Sequence, residues 1–315
     1  MSEKNFADRL IAAVKKKGNP ICVGLDPRLN LIPSHLKRKA LEAGGTPTKA
    51  AAEALLEFNK GIIDAVADLV PVVKPQIAFY EIFGHDGIWA YQETLKYAKS
   101  KGLITIADAK RNDIGSTAAA YAQAFLGEVE MFEDTDQEVV MPMFDADSLT
   151  VNAYLGWDGI KPFVEEGAKY GKGIFALVKT SNPSGSDLQD LELKEGGRVY
   201  ELMGGLMDSW GADYVGESGY SLVGAVVGAT FPAQAAELRK IMPKAIFLVP
   251  GYGAQGGGAA DVKPCFNSDG LGAIVNSSRG ITFAYQKKDG FDESSYAEAA
   301  REAVEDMKKD LESAK

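Results

Sequence analysis

The feature that most constrains this chain is its alternation of short apolar runs with amphipathic stretches. Runs of four to six residues, rich in Val, Ile and Leu, fall at 20–25, 70–75, 103–107, 149–153, 173–178, 222–227, 245–249 and 272–275. Helical spacing of apolar residues marks 6–17, 48–69, 87–101, 114–125, 159–170, 196–210, 232–241 and 293–313. Strands that are apolar on both faces need helices on both faces, which implies a parallel sheet. Eight such strand–helix units predict an α/β fold of the (β/α)8 TIM barrel type. A doubly wound open sheet is the alternative that the same alternation allows. No long Gly/Ser linker divides the 315 residues, so one domain over 1–315 is expected, with insertions near 27–48 and 128–138. The first insertion carries three prolines and Gly44-Gly45. The second is a run of acids read as a solvated loop.

Bulk properties narrow the partners. A formal charge of −10 disfavours nucleic acid or an anionic membrane as the main partner, but leaves room for a local basic pocket. Cys22 and Cys265 lie far apart with no CxxC partner, so neither a disulfide framework nor a zinc site is expected. His35 and His85 are the two histidines, and both look peripheral. The N-terminal residues lack a signal-peptide hydrophobic region, and no apolar run reaches membrane-spanning length. A cytoplasmic protein is expected.

Polar residues gather where the predicted strands end: Asp26, Lys74, Asp108 with Lys110, Ser181, Gln255 and Arg279. In a barrel these positions line one end, where active sites are built. Within a strand, residues two apart share a face, so Asp108 and Lys110 are expected to project together. Each residue also has a plain structural reading. Asp26 precedes Pro27 and suits a turn, Lys74 suits a solvated strand end, and Asp108 with Lys110 suits a structural ion pair. Asp113 suits the N-cap of a helix starting at Ile114. The glycine-rich run from Pro250 to Gly258 suits a lid or a phosphate cradle, since glycines expose backbone N–H groups. Its place before the eighth strand, with Arg279 just after that strand, points to an anionic, phosphorylated small molecule. No Ser-His-Asp or Cys-His arrangement emerges, so nucleophilic hydrolysis is disfavoured.

The run Asp108-Ala109-Lys110-Arg111-Asn112-Asp113-Ile114, with Thr117, resembles the DxKxxD-I-xx-T signature of the orotidine 5′-phosphate decarboxylase family. Gly24-Leu25-Asp26, Val73-Lys74, Thr180-Ser181-Asn182-Pro183, the Pro250 to Gly257 run with Gln255, and Ser278-Arg279 follow in that family's order and spacing. The resemblance spans about residues 20–285 and is similar to the family's longer bacterial branch, type 2. Ser278 stands where shorter members often have glycine, a change that leaves a backbone N–H contact to phosphate intact.

The resemblance implies roles for named residues. Asp108 would lie against the substrate carboxylate, and Lys110 would stabilise and then protonate the carbanion at pyrimidine C6. Lys74 would hold the charge array, and Asp26 would hydrogen-bond the ribose. Asp113 and Thr117 would serve the neighbouring subunit's site, which implies a homodimer with shared sites, and Ile114 would bind substrate. Ser181 would bind the pyrimidine amide edge, while Pro250, Gln255, Ser278 and Arg279 would lie at the phosphate end. No metal or organic cofactor is implied, and the expected product is UMP. A magnesium-dependent sugar-phosphate decarboxylase or aldolase of the same barrel group is the rival reading. A non-catalytic nucleotide-binding protein is the second.

Overall fold

A computed structural model describes residues 4–253 and 256–313. In chain order the elements are α1 (Phe6–Lys17), β1 (Ile21–Leu25), α2 (Ser34–Glu42), α3 (Pro47–Val66), β2 (Val72–Pro75), α4 (Ala78–Glu81), α5 (Gly84–Ser100) and β3 (Ile104–Arg111). Next come α6 (Gly115–Leu126), β4 (Val129–Met131), β5 (Val139–Met141), β6 (Ser148–Val151), α7 (Trp157–Lys169) and β7 (Gly173–Lys179). The chain ends with α8 (Val199–Gly211), β8 (Ser221–Val227), α9 (Pro232–Ile241), β9 (Ala245–Val249), α10 (Ala259–Val262), β10 (Ala273–Ser277), α11 (Arg279–Thr282) and α12 (Tyr296–Ser313).

Among the described residues, eight strands close into a parallel barrel in the order β1-β10-β9-β8-β7-β6-β3-β2. Every one of the eight predicted strands is a barrel stave, and the open doubly wound sheet is ruled out. Backbone packing divides the described residues into two compact units: those of 4–12 with 110–276, and those of 13–109 with 277–313.

In the unit holding β1 and β2, these strands pair in parallel, with Gly24 opposite Lys74. All residues of both are buried, which is why they read as unbroken apolar runs. Helix α3 begins on Thr46, whose hydroxyl accepts from the Lys49 N–H at 3.2 Å, with Pro47 in the first turn. It buries Leu55, Phe58, Ile62 and Val66. The Phe58 ring stacks on Phe283 at 5.4 Å and on Tyr296 of α12 at 5.2 Å. Burying a side chain of that size contributes about 2–3 kcal/mol. The 27–48 insertion is more ordered than its prolines suggest. Helix α2 lies inside it, and Ala40 packs with Ala50 and Ala54 of α3 and with Leu29.

In the other unit, β6, β7, β8 and β9 pair in parallel, and every residue of β8 and β9 is buried. Phe6 of α1 meets the Phe175 ring edge-on at 6.0 Å. The acidic 128–138 segment is more than a loop. β4 lies inside it and pairs antiparallel with β5 just after it, with Val129 opposite Met141. Short sequences rich in Val and Met supply the pairing, and the charges crowd the turn between them.

Candidate active site

Lys74 and Asp108 form the centre of the first cluster. Lys74 is near the end of β2, and its Nζ lies 2.8 Å from Asp108 Oδ2, both side chains being at most 10% exposed. The Asp108 main chain is fixed from the same side, because the Ile77 N–H donates to its carbonyl at 3.1 Å. Burial works against the charge on Lys74. The Asp108 and Asp26 carboxylates, the Cys22 side chain and the hydrogen bond to Asp108 outweigh it and raise the Lys74 pKa above the usual lysine value. The solvated-strand-end reading of Lys74 therefore fails. Cys22 is buried as expected, and burial pushes its thiol up to about 12 despite the nearby Lys74 ammonium.

Asp26 follows β1 directly. Its Oδ1 is buried and has no hydrogen-bond partner among the described residues. An acceptor desolvated in this way is costly unless a donor arrives.

Lys110 is the next-to-last residue of β3 and is exposed. Its backbone takes φ +46°, the left-handed region that a lysine rarely occupies. The strand thus leaves regular extended geometry at Lys110, two residues past Asp108. The Lys110 N–H donates to Thr150 Oγ1 of β6 at 3.0 Å, and the Asn152 N–H donates to the Arg111 carbonyl at 3.0 Å. These two bonds hold the turned segment, and the sequence offered no sign of Thr150 or Asn152 in this role. Strained backbone of this kind concentrates at functional sites.

Asp113 is not the helix cap. Helix α6 starts at Gly115 with Ile114 as N-cap and no side-chain cap, and Asp113 Oδ1 accepts from the Ile114 N–H at 2.8 Å. Gly115 has φ +56°, a turn that delays the helix by one residue. Asp113 is half-buried, while Ile114, at 52%, and Thr117 are exposed.

Ser181 is half-buried just beyond β7. Its carbonyl accepts from the Thr230 hydroxyl at 3.4 Å, and a Cβ on Gly228 would stand 2.9 Å from its backbone. The Pro250 carbonyl accepts from the Ala229 N–H at 2.9 Å. The glycine-rich run then turns tightly, with Gly251 at φ +99° and Gly253 at φ +71°. Gln255 lies outside the described residues. Ser278 caps the short helix α11, its carbonyl accepting from the Ile281 and Thr282 N–H groups, and Arg279 is exposed beside it.

Among the described residues, no group of three or more His, Cys, Asp or Glu is placed to hold a metal ion, and no helix is long and apolar enough to cross a membrane.

Comparison with known proteins identifies the family. The chain is 46% identical to orotidine 5′-phosphate decarboxylase of Rhodopirellula baltica, covering 97% of this chain and 98% of that protein. It is 42% identical to the enzyme of the same name from Caldicellulosiruptor bescii, over 93% and 94% of the two chains. The solved structure of Leishmania donovani OMP decarboxylase superposes with a TM-score of 0.72 at 28% identity, covering 100% of this chain and 98% of that one. The model of the orotidine 5′-phosphate decarboxylase / HUMPS family matches residues 19–291, and the chain belongs to that family.

Proposed function

We propose that this chain decarboxylates orotidine 5′-phosphate to UMP and CO2 in pyrimidine nucleotide synthesis. The observation that carries the reading is the charge array on β2 and β3: a buried Lys74–Asp108 pair, with Lys110 two residues on in a strained backbone conformation. Asp108, held by Lys74, lies against the substrate carboxylate. Repulsion between the two anions is relieved when the C6–carboxylate bond breaks and CO2 leaves. The bond's electron pair stays on C6, the Lys110 ammonium stabilises it, and a Lys110 proton transfers to C6.

Binding uses the remaining positions. The unpartnered Asp26 Oδ1 accepts from a ribose hydroxyl. Ser181 meets the pyrimidine amide edge. Pro250, Gln255, Arg279 and the Ser278 main-chain N–H serve the phosphate end. Grip on that remote phosphate supplies energy that orients the reacting base. Asp113 and Thr117 complete the site of a second copy, making a homodimer, and Ile114 binds substrate. The unbroken strand order supports one barrel domain over 1–315. Two free, buried cysteines suit the reducing cytoplasm.

Loss of orotidine 5′-phosphate absorbance tests the reading. Wild type should turn over with or without EDTA, and Lys110→Ala should be slower by about 10³-fold or more. No turnover by wild type overturns the proposal, and activity abolished by EDTA favours the magnesium-dependent rival.

A further inference from the structure

The loop that follows β7 is closed by two side-chain rungs to which the reaction above assigns no role. Lys179, the last residue of β7, is 0% exposed, and its Nζ lies 2.6 Å from Asp190 Oδ1. Its head sits 4.4 Å from the centre of the Phe231 ring and 5.5 Å from that of Tyr200. One residue on, the Thr180 N–H donates to Gln189 Oε1 at 3.0 Å, and Gln189 Nε2 donates to Thr180 Oγ1 at 2.7 Å. The pairs 179/190 and 180/189 step in opposite directions along the chain, so they zip together the two ends of the segment 181–188.

Further bonds stiffen the enclosed segment. The Thr180 hydroxyl donates to Asn182 Oδ1 at 2.6 Å. The Gly185 N–H donates to the Asn182 carbonyl at 3.0 Å, and the Gln189 N–H to the Gly185 carbonyl at 2.8 Å. A Cβ on Gly185 would stand 3.0 Å from Gln189 Oε1, so the loop closes around that glycine. Ser181 is the first residue inside. Gly228 abuts its backbone, and the Thr180–Gln189 rung fixes the residue directly before it. A lysine ammonium stripped of water is tolerated only with its counter-charge in place. Opening the loop would part Lys179 from Asp190, so the closed form is strongly favoured.

We propose that the Lys179–Asp190 and Thr180–Gln189 pairs form a clasp that sets Ser181 against the pyrimidine edge of the substrate. Gln189 and Lys179 are then positioning residues for base recognition. This rests on the assignment of Ser181 to that edge, and the experiment separates the two ideas.

Kinetics with orotidine 5′-phosphate, and inhibition by UMP and by ribose 5-phosphate, are measured for Gln189→Met, Ser181→Ala and the double variant. Ribose 5-phosphate lacks the base and reports only on the phosphate end. Gln189→Met should raise KM and weaken UMP binding by about tenfold. It should leave ribose 5-phosphate inhibition unchanged and add little to Ser181→Ala. Gln189→Glu, which keeps an acceptor for the Thr180 N–H, should recover part of the loss. Full multiplication of the two single effects overturns the clasp, as does an equal loss of ribose 5-phosphate binding. Weakened UMP binding in Ser181→Ala with none in Gln189→Met also overturns it. If Ser181→Ala binds UMP normally, the assignment of Ser181 fails and takes the clasp with it. Should Gln189→Met not fold, Asp190→Asn is read in the same assays with the same outcomes.

Discussion

Lys74 keeps its charge in a place with almost no water, because carboxylates surround it. Its side chain is 6% exposed and its ammonium touches Asp108. Lys74→Met would leave the Asp108 carboxylate buried without that ammonium, at a cost of about 3–5 kcal/mol. Urea unfolding of the variant measures it. The pH dependence has a definite sign. The folded pKa of Lys74 is raised above its ordinary 10.5, so its stabilisation is fully present below that value and is lost only as pH climbs through the folded one. The deficit of Lys74→Met relative to wild type should therefore stay flat between about pH 8 and pH 10. A deficit that shrinks inside that window would mean the lysine ionises lower and the carboxylates do not hold its proton. The charges at strand ends were legible in the sequence because an acid or a lysine closing an apolar run is conspicuous. The turned backbone of Lys110 was not. A positive φ at a lysine is imposed by contacts such as Thr150, forty residues away, and leaves no local trace. Lys179 stayed hidden for a different reason: it reads as the polar end of a strand, and its partner Asp190 sits in an irregular loop.

At the scale of elements, all eight staves were legible, since strands buried on both faces must be continuous apolar runs. Helix α2 was masked by the prolines around it, and the β4–β5 pair by the acids between its strands. Tertiary anchors are the hardest to read in advance, and Arg239 is one. It sits in the last turn of α9 and is 7% exposed. Its Nε donates to the Cys265 carbonyl at 3.0 Å. Its Nη1 donates to the carbonyls of Met242 at 2.8 Å and Ala245 at 2.9 Å, and its Nη2 to that of Gly272 at 2.9 Å. The guanidinium also lies 3.6 Å over the Phe247 ring. One planar fork thus joins the end of α9, the start of β9 and the turn before β10. Burial lowers its pKa to about 10, against the opposing influence of Cys265, Tyr220 and Asp269 nearby. Lysine has neither the plane nor enough donors for four directions. Arg239→Lys should lose about 2–3 kcal/mol in thermal or urea unfolding, as buried carbonyls go unsatisfied. A variant as stable as wild type would show that the fork's geometry contributes nothing.

At the scale of the whole molecule, a chain of formal charge −10 repels its own copies, so association needs apolar contact to overcome it. Ile114 is 52% exposed between Asp113 and Thr117, the positions proposed to reach a second copy's site. A twofold arrangement places the same segment of each copy in the other's site. That makes a sharp prediction for mixtures. Lys110→Ala keeps Asp113, and Asp113→Ala keeps Lys110, so each variant alone has two defective sites per dimer. In a mixed dimer, one site combines the intact Lys110 of one chain with the intact Asp113 of the other, and the second site carries both defects. Random exchange of equal amounts makes about half the dimers mixed, so activity should return to about one quarter of the wild-type rate. The rate should rise with the time course of subunit exchange, followed by light scattering or by differently sized tags. Exchange without recovery would mean that Asp113 serves its own chain, or none. Recovery with Asp113→Ala but not with a partner carrying Lys74→Met would localise the shared contribution to the segment after β3, since Lys74 and Lys110 must act in the same chain.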